Sequence, residues 1–169
     1  MNIEKYSERV RGFMQSAQTQ ALASGHQQFT PEHVLKVCDE FWWNLFSSVS
    51  QLKRGQLWMA LHLLDSCRSD LAQIMRWRRD PAHPAERFRH LEQHLTAEDQ
   101  QALAQTLAQY DLRSIADALL GASDAFDPAA REVAARVEAQ YPAALAQFTK
   151  EFFIRELWSL IAPGPTMSA

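Results

Sequence analysis

The chain has 169 residues, 47% of them apolar and 22% charged, which suits one folded domain, or one domain with an arm, and excludes a disordered polymer. Its formal net charge of −3 argues against a nucleic-acid binder with a dominant basic face and is compatible with a cationic ligand. No run approaches the ~18 apolar residues of a membrane span, and the N-terminus lacks an apolar signal core, so the expected compartment is the cytoplasm. Cys38 and Cys67 form no CxxC or CxxH pairing and read as reduced thiols.

The fold class expected is all-α. The chain has 25 Ala and 19 Leu against 6 Val and 5 Ile, and only 5 Gly. Ala and Leu favour helix, Val and Ile favour strand, and no stretch alternates apolar with polar residues. A bundle of about seven or eight helices follows from the pattern.

In chain order, Ile3, Tyr6, Val10, Phe13, Ala17 and Ala21 predict a first amphipathic helix that stops at Gly25. Thr30 caps the second and Pro31 suits its first turn. Its core stripe is Val34, Cys38, Phe41, Leu45, Val49 and Leu52, and Lys53-Arg54-Gly55 ends it. The third helix, Gln56 to Arg79, carries a wide stripe around Leu57, Leu61, Leu64, Leu71 and Met75, as a central helix packed on two sides would. Asp80-Pro81-Ala82-His83-Pro84 is a stiff connector. Shorter helices are expected from Ala85 to His94, from a Thr96/Asp99 capping box, from Asp111 to a stop at Gly121, and from Asp127-Pro128 to about Gln140. Tyr141-Pro142 opens the last, which carries Leu145, Phe148, Phe152 and Leu157 and ends before Pro163.

Two resemblances divide the chain. Residues 1–37, MNIEKYSERVRGFMQSAQTQALASGHQQFTPEHVLKV, resemble the start of the N-terminal domain of Clp-type disaggregase ATPases. The resemblance implies a partial helical hairpin from a polypeptide-binding domain. The ATPase modules are not in this chain, which has no GxxxxGK[ST]. Residues 38–162 resemble the C-terminal helical domain of aminoglycoside and lincosamide nucleotidyltransferases. Phe41-Trp42-Trp43, Lys53-Arg54-Gly55-Gln56-Leu57-Trp58, Arg76-Trp77, and the stretch from Arg131 through Tyr141-Pro142 to Phe152 carry it. Residues 163–169 are a tail.

In that second family a preceding domain supplies a Gly-Ser turn for the nucleotide phosphates and an Asp-x-Asp pair for magnesium. Gly121-Ala-Ser123-Asp124-Ala-Phe-Asp127 is only a lookalike, read as a helix stop, a turn and a helix start. The expectation is a non-catalytic substrate-binding domain, a truncated or chimeric chain. It carries no cofactor of its own; ATP and Mg²⁺ belong to a nucleotide-binding partner in trans.

The site residues expected are Asp39, Glu40, Trp42 and Trp43. A cationic antibiotic needs carboxylates for ion pairing and flat rings for stacking, and these four supply both. Asp39 and Trp43 share a helix face, and Trp43 lies about 150° from the core stripe. The competing reading is two-layer packing with solvated acids. Glu86, His90 and His94 have metal-ligand spacing on a helix, but a solvated face is the preferred reading and no metal is expected. Arg76-Trp77-Arg78-Arg79 could meet phosphate, or simply complement a helix C-terminus. No nucleophile sits beside a base, so no catalytic residue is named. The alternative function is a polypeptide-binding module of Clp type, and an exposed Tyr6/Val10/Phe13 face would favour a homodimer.

Overall fold

The computed structural model describes residues 29–82 and 87–161, with side chains to residue 158. All regular structure among them is helical: α1 (Pro31–Lys53), α2 (Leu57–Arg79), α3 (Leu91–His94), α4 (Ala97–Ala104), α5 (Leu112–Arg136) and α6 (Ala143–Ile161). The all-α class holds, with six helices among the described residues. The predicted first helix, its Tyr6/Val10/Phe13 face and the tail lie outside those residues.

Thr30 caps α1 by accepting from the His33 backbone N–H at 3.4 Å, and Pro31 occupies the first turn, where its missing N–H costs nothing. The buried stripe runs in phase from Val34 through Val37 and Cys38 to Leu52, so the joint between the two resemblances lies inside one continuous helix. The helix ends in a Schellman turn. Gly55 takes φ +66, its N–H donates to the Leu52 carbonyl at 3.0 Å, and the Gln56 N–H donates to Gln51 at 2.9 Å.

The chain then folds back as α2, which packs against α1 on one side and α5 on another. Every residue from Asp70 to Trp77 is buried, as a central helix requires. Cys38 and Cys67 are free and buried. At the heart of the core Phe41 stacks on Phe126 with centroids 3.7 Å apart, and Trp42 meets Phe126 edge-on at 5.8 Å. Helix α6 closes the bundle against α1 and α5 through Ala146, Phe153 and Leu157. No helix among the described residues is long and apolar enough to cross a membrane.

Three predicted helices are corrected. Gly121 does not stop a helix and Pro128 does not start one, because both lie inside α5. The buried positions Ile115, Leu119, Ala122, Phe126, Ala129, Ala130 and Val133 keep one apolar face in phase across both residues. Burial of that face outweighs the ~1 kcal/mol of a helical Gly and the ~3 kcal/mol of an internal Pro. Of the described residues of the expected Ala85 to His94 helix, only the single turn of α3 is helical. His90 precedes it at φ +54, which breaks any continuous helical face.

Candidate functional site

The helical register of α1 sets Asp39, Trp43 and Phe46 along one outer face at steps of four and three. Helix α6 lies alongside and adds Leu145, Phe148 and Thr149. Between the two helices is a groove of about 540 Å³, lined by these six residues with Glu40 and Trp42. That is the size of a small-molecule site. All four predicted site residues, Asp39, Glu40, Trp42 and Trp43, border this one groove.

Their roles in its shape differ. Trp43 is 66% exposed and leans on Phe46 at 6.0 Å. Phe46 in turn stacks on Phe152 at 4.8 Å and Phe148 at 6.4 Å, giving a ladder of rings across both helices. Trp42 does not share this openness and is no free stacking face. It is fully buried, and its indole N–H donates to the Tyr141 hydroxyl at 3.1 Å. That hydroxyl donates to Asp127 at 2.8 Å, which also accepts from Arg131 at 2.9 Å, while the Arg131 guanidinium lies 4.6 Å over the Tyr141 ring. Burial first, then the bond to Asp127, pushes the Tyr141 hydroxyl well above the usual phenol range, so it stays a donor.

At the acidic rim Glu40 faces Lys36 at 3.7 Å, whereas Asp39 is exposed and has no ion-pair partner among the described residues. On α2, Asp70 is buried. Burial pushes its carboxyl up to about 7; the Arg87 charge opposes this and Glu40 adds to it. Thr149 is fully buried in the groove wall, and its hydroxyl has no hydrogen-bond partner among the described residues.

Sequence reasoning missed the α6 wall. Leu145 and Phe148 read there as part of the last helix's apolar set, yet they are 40% and 56% exposed and turn towards the groove. The available signal was Thr149, a polar residue inside an apolar stripe.

The other predicted clusters are tied up by the fold. Arg76 is buried and bonded to Asp80 at 2.9 Å and to the Arg89 carbonyl at 3.2 Å. Arg78 and Arg79 both reach Asp99, which also completes the Thr96 capping box. These arginines pin α4 to the end of α2 instead of facing phosphate. His94 lies 3.5 Å from Asp80, Glu86 is outside the described residues, and no group of three metal-binding side chains forms among those described. The Gly121 to Asp127 stretch does not fit a phosphate cradle or a magnesium site. Its backbone is helical, Ser123 donates to the Leu120 carbonyl, Asp124 pairs with Lys150 and Asp127 holds Tyr141.

The fold and groove define an all-helical domain with an acid-rimmed aromatic cleft and no nucleotide cradle in its lookalike segment. The family model for streptomycin adenylyltransferase matches residues 14–155, and the chain belongs to that family. A 37-residue segment, 22% of the chain, is also 89% identical to chaperone protein ClpB of Rhizobium meliloti (strain 1021) and 84% identical to ClpB of Brucella suis biovar 1 (strain 1330). Over the same length it is 81% identical to ClpB of Mesorhizobium japonicum. The chain spans 4% of the length of these curated relatives. No solved structure matches it.

Proposed function

We propose that this chain is a non-catalytic antibiotic-binding domain of nucleotidyltransferase type, which docks an aminoglycoside or lincosamide in the α1–α6 groove. The observation that carries this reading is the union of Asp39, Glu40, Trp43 and Phe46 with the α6 wall in one small-molecule-sized groove. Carboxylates attract the antibiotic's cationic nitrogens, and rings stack on its sugar faces. Adenylyl transfer would require a nucleotide-binding partner in trans, which brings ATP and Mg²⁺. This chain's part is to bind and orient the acceptor. Residues 1–37 form a Clp-like segment joined to the 38–162 domain through the continuous α1.

The test is calorimetric titration of the chain with aminoglycosides and lincosamides, alone and as Trp43→Ala. Saturable heat that weakens in the variant supports the reading. Absence of heat with every antibiotic removes it.

The ClpB identity favours a second reading, a polypeptide-binding module. Binding of unfolded polypeptides in place of antibiotics would support that one.

A further inference from the structure

We infer that residues 2–23 of this chain dock along the groove between α1 and α6, where the face that carries Val10 and Phe13 covers Trp43, Phe46 and Phe148. The inference concerns what occupies the groove in the free chain, and it stands whether or not an antibiotic also binds there.

The apolar strip is the first argument and reach is the second. Trp43 and Phe148 are each more than half exposed, and with Leu145 and Phe46 they form one apolar surface that a helix face can cover. Residues 1–28 join the described part at Phe29, whose ring is held 5.4 Å from Trp77 against the end of α2. Thr30 is extended, at φ −110 and ψ 156, so α1 does not continue backwards as one straight helix. Residues 24–29, with Gly25, leave about six residues for a reversal, an ordinary length for a connection between two helices. A helix over 2–23 is about 33 Å long, and Phe46 lies about 22 Å along α1 from Pro31. An antiparallel segment therefore passes both rings of α1 and brings Phe13 and Val10 level with Trp43.

Charge is the third. Asp39 is exposed without an ion-pair partner among the described residues, and Glu40 faces Lys36 at 3.7 Å, so the rim is acidic on balance. On a helical wheel of the segment, Arg9 and Arg11 lie about 90° and 110° to either side of the Ile3/Tyr6/Val10/Phe13 face, and Glu8 lies opposite it. With the apolar face turned inward, whichever edge meets the acidic rim carries a guanidinium, and Glu8 points to solvent. A ligand of the groove then has to displace the segment, which makes residues 2–23 a competitor built into the chain.

The experiment attaches a nitroxide to Ser16→Cys in the full, nitrogen-15-labelled chain, at the edge of the segment's apolar face. Cys38 and Cys67 are buried and burial pushes both thiols up, so the new thiol is the one that reacts. The indole N–H signals of Trp43 and Trp58 are assigned by their absence in Trp43→Ala and Trp58→Ala. The expected result is that the Trp43 signal is lost, returns when ascorbate reduces the nitroxide, and returns also in Phe13→Asp, where a charge on the apolar face prevents docking. Trp58, outside the groove, keeps its signal throughout. A Trp43 signal that is never lost, equal loss at both indoles, or loss that persists in Phe13→Asp overturns the inference. A mixture of nitrogen-15 chains without nitroxide and unlabelled chains with it tests the other occupant. Loss of Trp43 in that mixture would put a second copy's segment in the groove and overturn docking within one chain. No antibiotic enters the experiment, so its failure leaves the antibiotic-binding reading standing.

Discussion

The Trp42 indole N–H and the Tyr141 hydroxyl meet at 3.1 Å across 99 residues of sequence, joining the floor of the groove to the loop before α6. Tyr141→Phe removes both the acceptor for the buried indole and the donor to Asp127. We expect a loss of about 1–3 kcal/mol in denaturant unfolding, because a buried donor is left unmatched. Unchanged stability would show that the indole finds another acceptor.

Asp70 sets a pH dependence of definite sign. Its carboxyl is raised from 3.8 to about 7 by burial, so between those values the unfolded chain releases a proton that the folded chain keeps. Its contribution is therefore whole below about pH 4 and is lost as pH rises through about 7. Asp70→Asn should flatten the stability curve over that window and raise stability at pH 8. A variant with the parent's slope would remove Asp70 as the cause.

Asp99 acts in the opposite direction. Burial disfavours its charge, but hydrogen bonds from Arg79 and Thr96 and the charges of Arg78 and Arg79 outweigh it and hold the carboxyl below its ordinary range. The stability it contributes is present above the usual carboxylate range and is lost as pH falls through the lowered value. Asp99→Asn should cost about 1–3 kcal/mol at pH 7 and lessen the sensitivity to acid, read from denaturant midpoints at several pH values.

Pro128 is an exposed proline inside a continuous helix. Pro128→Ala restores an N–H and removes the ring's clash with the preceding turn, so it should stabilise the chain by about 1–3 kcal/mol. Destabilisation would mean that a helix boundary at this position is needed.

These residues also mark what could be read from the sequence. Thr30-Pro31, the Thr96/Asp99 box and the Asp111 cap are local devices, and each caps the helix start expected of it. Gly121 and Pro128 misled because local propensity argued for a break, while the in-phase stripe from Ile115 to Val133 answered to the core. Asp39 and Trp43 were legible as neighbours from their spacing. That Leu145, Phe148 and Thr149 would lie opposite them was not, since the meeting of α1 and α6 is tertiary and no local pattern encodes it. The burial of Trp42 was hidden for the same reason, because its partner Tyr141 lies 99 residues away.

On the proposed reading, ligand enters the groove beside Trp43. The most direct test is the two-dimensional NMR spectrum of the nitrogen-15-labelled chain, with the Trp43 indole N–H assigned by its absence in Trp43→Ala. Titration with lincomycin or streptomycin should shift that resonance along a saturable curve. The indole of Trp58, exposed against Tyr110 at 4.7 Å and outside the groove, should stay in place. Saturation that moves Trp58 and leaves Trp43 unmoved, or no shift with either compound, would rule out entry beside Trp43.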